Sequence, residues 1–391
     1  MKNLIIKFSK ILSKINIIIP KRKNMIVFYS NLGFRDNSKY LFDYLLDHKY
    51  KKYKIICALN DYKIFKNKYS SVKFVNTYVG VYYFLTSKYF FYSFGKYPIT
   101  PSKKQTVINL WHGMPLKKIG NLEKGKENNR YDYFTQILST GPIFDVIMQK
   151  SFNCQADRIM KSGQPRTDIF FNSNKCDAFT KYNKVIIWMP TFRYSNVLKE
   201  SNTSSNSILP ILDDESKAIG INNLLMENNA ILLIKLHPIQ STDGFEKIEK
   251  TNIKFIDEKF LNENDLSLYK LLKNTDALIT DYSSVYIDYL LLDKPILFTI
   301  DDLGDYTMNR GLNFKNPLDY MPGPKISTFE QFLYELNNIF ENTDKFSNER
   351  NKINAVFNCY VGKNNCKKIL DKCEILDDNQ LEYFMCCLGC L

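Results

Sequence analysis

Over the first two dozen residues the apolar positions recur at helical spacing. Leu4, Phe8, Ile11, Ile15 and Ile18 stand three and four apart, while Lys7, Lys10, Lys14 and Lys21 fall on another face of the wheel. This pattern predicts an amphipathic helix with a cationic side. From Met25 onward the period changes. Short apolar runs at 25–30, 54–59, 72–75, 89–92 and 106–110 alternate with helical stretches such as 39–46, and the first run feeds a polar loop, 31–37, that contains Gly33. A second series follows at 184–189, 230–236, 253–257, 277–280 and 295–298, with helical patterns at 266–273 and 285–292. Strands that alternate with helices pair in parallel, because each parallel partner needs a crossover. The expected architecture is α/β: two Rossmann-type doubly wound domains, 25–180 and 181–345, after a helical segment 1–24 and before a C-terminal helix and Cys-containing tail, 346–391. Ligands of such sheets gather beyond the carboxyl ends of the strands, so a cleft between the two domains is the expected site. The Ser- and Asn-rich stretch 194–207 reads as a mobile surface loop.

Composition narrows the class. A chain of 391 residues, 45% apolar and with 28 Phe and 26 Tyr, has ample core material and is not disordered. The net charge of +13 is uneven: residues 1–35 hold eight basic and no acidic side chains, and residues 36–120 hold fifteen basic against four acidic. That surplus points to an anionic partner for the first domain. No nucleic-acid recognition motif accompanies it. The cationic helix with Lys21, Arg22 and Lys23 instead suggests an anionic membrane surface, where each basic residue contributes about 1 kcal/mol. The other reading is a helix packed on its own domain with solvated lysines. No run of 18 apolar residues offers a transmembrane helix, and Lys7, Lys10 and Lys14 interrupt what would be a signal-peptide core, so a peripheral position on the cytoplasmic face is expected. Nine cysteines without a secretory signal are expected to be reduced. Cys359, Cys366 and Cys373 recur every seven residues and predict one helix face, while Cys386, Cys387 and Cys390 fall in a frayed tail.

The candidate chemistry sits at strand ends. Of three histidines, His112 in Leu110-Trp111-His112-Gly113-Met114-Pro115 and His237 in Lys235-Leu236-His237-Pro238 each follow an apolar run and precede a turn; His48 lies among lysines. A lone histidine there can simply brace a turn, but one in each domain favours a shared cleft. Thr280-Asp281-Tyr282-Ser283-Ser284 opens the helical stretch 285–292, and hydroxyls at a helix start suit an anion. Arginine is scarce, and Arg166, Arg193 and Arg310 stand beside turn residues near strand ends, as candidate phosphate ligands or surface ion pairs. No two aspartates are separated by one residue, and there is no Walker loop or Gly-x-Gly-x-x-Gly, so no metal site or cofactor is expected.

Taken in order, Trp111–Gly120, Gly163–Asp168, Met189–Arg193, Leu236–Pro238, and Thr280–Ser284 through Asp293-Lys294-Pro295 resemble the CDP-glycerol glycerophosphotransferases, the teichoic acid primases and polymerases; Asp36–Lys39 and Arg310-Gly311 add to the likeness. The resemblance implies a GT-B-like fold, monotopic membrane association, and transfer of glycerol phosphate from CDP-glycerol to a lipid-linked or polymeric glycan acceptor of teichoic acid, capsule or related surface polymer, with release of CMP. It implies His112, within Trp111 and Gly113, as general base, and His237, Lys235, Ser283, Ser284, Pro190 and Thr191 as holders of the donor. Arg166, Arg193, Asp288 and Arg310 are further donor candidates. CDP-ribitol as donor, a nucleotide-sugar glycosyltransferase, and a non-catalytic scaffold remain the alternatives, and the oligomeric state is not readable.

Overall fold

The computed structural model describes residues 2–172, 178–191, 194–195, 200–201, 209–212, 214–236 and 245–380. Contacts divide the chain into two compact units, the first holding 1–114, 120–168 and the segment from Cys359 on, the second 115–119 and 169–358.

The first unit is built on seven strands: β1 (Arg22–Ser30), β2 (Lys54–Leu59), β3 (Val72–Val75), β4 (Ser87–Phe94), β5 (Thr106–Asn109), β6 (Gln136–Ser139) and β7 (Ile159–Lys161). They pair in parallel in the order β3-β2-β1-β4-β5-β6-β7. Met25–Ser30 is buried on both faces, as is Tyr89–Ser93, so each reads as an unbroken apolar run rather than an alternation. Strand order reverses between β1 and β4, which opens a crevice at their carboxyl ends.

In the second unit β8 (Lys184–Met189) is followed by a two-stranded antiparallel ribbon, β9 (Tyr194–Ser195) and β10 (Glu200–Ser201), then by β11 (Ala230–Ile234), β12 (Ile253–Phe255), β13 (Ala277–Thr280), β14 (Ile296–Thr299) and β15 (Lys325–Ile326). The parallel sheet runs β12-β11-β8-β13-β14-β15, with its reversal between β8 and β13. One of its layers packs Trp188, Leu232 and Ile279 against Ile221, Phe332 and Leu336.

The two doubly wound sheets agree with the sequence pattern, and three short strands, β6, β7 and β15, add to it. Part of 194–207 is ribbon rather than loop; residues 196–199 and 202–207 lie outside the described residues. The expected terminal segment 346–391 does not stay together. The helix Ser347–Phe357 belongs to the second unit, held by Arg350, whose buried guanidinium bonds Asp344 and Asp293. The helix Asn365–Lys372 belongs to the first. There Asn365 accepts the Gly163 N–H at 3.1 Å and donates to Asp168 at 2.7 Å, and a Cβ at Gly163 would overlap the Asn365 amide. Nor do the three regularly spaced cysteines share a helix face: Cys359 lies exposed in a turn, Cys366 is buried inside the helix, and Cys373 caps it. The five described cysteines are all free thiols. Cys386, Cys387 and Cys390 lie outside the described residues.

The N-terminal helix spans Lys2–Ile18 and is oriented opposite to an ordinary surface helix. A third, uncharged side docks while Lys7, Lys10 and Lys14 stay exposed: Asn16 is fully buried and donates to Thr100 O at 2.9 Å and to Gln105 Oε1 at 2.7 Å, and Ser13 Oγ accepts the Thr100 N–H. Its apolar face points outward, with Phe8 60%, Ile11 55% and Ile18 79% exposed. Among the described residues no helix is long and apolar enough to cross a membrane.

Candidate active site

In the first unit three loops meet beyond the carboxyl ends of β1, β5 and β7. After β5 the chain enters a tight turn in which Trp111 takes φ +52° and Gly113 φ +128°. A left-handed backbone costs a bulky side chain on the order of 1–2 kcal/mol, so other contacts must hold Trp111 there. The turn presents His112 half-buried, its ring lying between Trp111, with centroids 4.1 Å apart, and Phe94, at 4.8 Å. Nδ1 of His112 is 3.1 Å from the carbonyl of Ser93 at the end of β4. A carbonyl only accepts, so Nδ1 carries the proton, and in the neutral form of the imidazole the lone pair is then on Nε2. That is the tautomer a general base requires.

Arg166 follows β7 and is 4% exposed. Its Nη1 lies 2.7 Å from each oxygen of Asp36 and 3.2 Å from His112 O. It was expected as a phosphate ligand; here its guanidinium is engaged by a carboxylate and a carbonyl of its own unit. Asn37, fully buried, donates to Leu110 O, Trp111 O and Gln164 Oε1 at 3.0–3.1 Å and accepts the Arg166 N–H.

In the second unit the loops after β11, β8 and β13 are neighbours because those strands are adjacent. Pro190 and Thr191 follow β8, Lys235 follows β11, and Asp281–Ser284 follow β13. Asp281, fully buried, ties the two strands flanking the order reversal: it accepts the Thr191 N–H with both oxygens, at 3.0 and 2.9 Å, and the Thr191 hydroxyl at 2.9 Å. Lys235 is nearly buried, with Nζ 3.0 Å from Glu258 Oε1. Ser283 and Ser284 are half-buried before Val285–Tyr289, a helix of five residues that tightens to a 3₁₀ turn through Leu292 rather than the full helix expected. Ser284 is itself helical and makes no side-chain cap, so its hydroxyl is not consumed as a helix cap. Asp288 faces the interior and accepts from Tyr269. Arg310 is half-buried at the end of the helix Leu303–Asn309. His237 and Arg193 lie outside the described residues.

Sequence reasoning passed over Asp36, Asn37 and Asp281. Each stood inside a quoted motif, and none was given a role. The Asp293-Lys294-Pro295 motif is architectural. Asp293, at φ +47°, ends the 3₁₀ turn, and Lys294 donates to the carbonyls of Lys273 and Thr275, with burial pulling its ammonium below the ordinary range.

Comparison with known proteins bears on the fold and the family. A teichoic acid poly(glycerol phosphate) polymerase of Bacillus spizizenii is 26% identical over 95% of this chain and 97% of its own length. A teichoic acid poly(ribitol-phosphate) polymerase of the same organism is 26% identical over 81% of this chain, which spans only 51% of that relative. Among solved structures the wall teichoic acid polymerase TagF superposes with a TM-score of 0.71 at 22% identity, covering 92% of this chain and 91% of that one, which assigns the GT-B-like fold. Residues 11–374 match the CDP-glycerol:poly(glycerophosphate) glycerophosphotransferase family, and the chain belongs to that family of teichoic acid transferases.

Proposed function

We propose that this protein transfers glycerol phosphate from CDP-glycerol to a hydroxyl of a lipid-linked or polymeric glycan acceptor and releases CMP. The observation that carries this reading is the His112 imidazole at the carboxyl end of the first sheet, fixed through Nδ1 on Ser93 O and bracketed by two aromatic rings. Nε2 removes the acceptor hydroxyl proton while the oxygen attacks the glycerol-bearing phosphorus. The bond from that phosphorus to the bridging oxygen breaks, and CMP departs with the oxygen and its electron pair. General-base assistance of this kind contributes typically 10²–10⁴-fold. Charge grows on the departing CMP, and His237, Lys235, Ser283, Ser284 and the Pro190-Thr191 turn are the groups proposed to stabilise it, without a metal.

The outward apolar face of the N-terminal helix supports peripheral binding to an anionic leaflet. Beside its end Arg22 bonds the Tyr82 hydroxyl, and Tyr78 and Tyr82 of the helix Thr77–Thr86 are exposed, as aromatic residues at a membrane interface are.

The likeness to a poly(ribitol-phosphate) polymerase favours CDP-ribitol as the second reading of the donor. Purified protein with a lipid-linked acceptor, offered CDP-glycerol, CDP-ribitol and a panel of nucleotide sugars with and without EDTA, tests both. CMP release from CDP-glycerol that survives EDTA is expected. Release from CDP-ribitol alone moves the donor, release from a nucleotide sugar makes this a glycosyltransferase, and no release from any donor overturns the catalytic reading.

A further inference from the structure

Three successive carbonyls of the His112 turn are each held by a side chain from a distant segment. Leu110 O and Trp111 O accept from Asn37 Nδ2, at 3.0 and 3.1 Å, and His112 O accepts from Arg166 Nη1 at 3.2 Å. The two holders are themselves fixed. Arg166 is met by both oxygens of Asp36, its backbone N–H is taken by Asn37 Oδ1, and Asn37 also bonds Gln164. The only described non-glycine residues with positive φ in these loops are Asp36, at +63°, and Trp111, at +52°, one at each end of this network. Strained backbone persists only where its surroundings over-determine it, and it concentrates where geometry serves function.

From this arrangement we propose that Asp36, Asn37 and Arg166 are positioning residues for His112, and that Arg166 does not bind donor phosphate. The reasoning is steric and electrostatic. Arg166 is buried and its Nη1 already meets both oxygens of the half-buried Asp36 and the carbonyl of His112, so turning that nitrogen to an anion would break the ion pair and release the turn. A rigid fork is also the group suited to holding a carboxylate and a backbone carbonyl at once, which a lysine ammonium on a flexible stem does not reproduce. With the three carbonyls pinned, Trp111 stays left-handed and the imidazole stays between Trp111 and Phe94, with Nδ1 on Ser93. The inference rests on His112 being the base; the test below separates the two claims.

The variants are Arg166→Lys, Asn37→Ala and Asp36→Asn in the full chain, each accepted only if its circular dichroism and cooperative melting match the parent. With only three histidines in the chain, selective ¹⁵N-histidine labelling gives three ring systems, and His112→Ala assigns the relevant one. A misplacement near 1 Å costs on the order of 10²-fold in rate. Positioning therefore predicts kcat lowered by roughly that factor in Arg166→Lys, KM for CDP-glycerol and calorimetric donor binding unchanged, and His112 ring signals that lose the Nδ1–H tautomer. A donor-ligand role predicts the reverse: weakened donor binding and raised KM, with His112 signals unmoved, and that result overturns the proposal. Should His112→Ala retain full activity, the base assignment fails, while the ring signals of the other variants still decide whether the network positions the imidazole. If Arg166→Lys does not fold, Asn37→Ala, which removes only neutral bonds, carries the same comparison.

Discussion

Removing the Asp281 carboxylate should loosen the second unit at its strand-order reversal, and the bonds there set the magnitude. Its oxygens accept the Thr191 N–H and the Thr191 hydroxyl in a place closed to solvent. Asp281→Ala orphans a buried N–H, at about 1–3 kcal/mol, and forfeits a hydroxyl bond to a charged acceptor, worth about 1.5–3 kcal/mol. Together these destabilise the unit by about 3–5 kcal/mol. Asp281→Asn is nearly isosteric. Its amide oxygen can keep the N–H and its amine can donate to the Thr191 oxygen, so only the charge assistance is lost, about 1 kcal/mol. The measurement is urea unfolding followed by Trp188, buried on β8, in a Trp111→Phe background so that no tryptophan reports from the first unit. With a urea slope of about 2–3 kcal/mol/M, the midpoint should fall by about 1–2.5 M for Ala and by no more than about 0.5 M for Asn. Equal shifts for the two variants, or an Ala shift below about 0.5 M, would refute the assignment of Asp281 as the bridge between β8 and β13.

Further outcomes follow from the same structure. His112→Ala should cut nucleotide release by about 10²–10⁴-fold with little change in melting, because the residue is half-exposed on a loop; unchanged turnover removes it from the mechanism. Arg350 hydrogen-bonds Asp344 and holds its carboxyl below the ordinary range. A lowered folded-state value means stabilisation that is present above about pH 4 and lost as the pH falls through the folded value. Acid unfolding of the second unit should therefore be shallower in Asp344→Asn than in the parent, and identical acid limbs would count against this pair. Replacing Phe8, Ile11 and Ile18 by Ser leaves the buried Asn16 anchor in place and should abolish co-sedimentation with anionic vesicles; undiminished pelleting would show that this helix face is not the contact.

The elements most legible in the sequence are those whose burial is continuous. β1, β2, β8 and β13 are apolar runs covered on both faces, and each was found within a few residues. β6, β7 and β15 escape because Gln136–Ser139, Ile159–Lys161 and Lys325–Ile326 hold at most two apolar residues each, whereas β13, no longer than β6, holds three in a row. The N-terminal helix shows a different limit. Periodicity separates an apolar and a cationic face, but neither docks: the side that does is set by Asn16 meeting Thr100 and Gln105, 84 and 89 residues away. That His112 stands in a turn just past β5 is legible locally. Arg166 stands out by its rarity and its turn suits either a phosphate ligand or an ion pair, and nothing local reveals that Asp36, 130 residues earlier, faces its guanidinium. Asp281 and Thr191 stand 90 residues apart, and either looks like an ordinary turn residue until β8 and β13 are placed side by side.

The interlaced chain path also governs how the protein is made. Asn365 completes the turn at Gly163 and Asp168, but it lies 202 and 197 residues downstream of them. At about 5–20 residues per second, a ribosome needs roughly 10–40 s to supply it. Throughout that interval the nascent first unit holds its β7 loop without this partner, while most of the second unit has already emerged and can close. A stop codon shortly before residue 365 would thus spare most of what is translated last and damage the unit translated first.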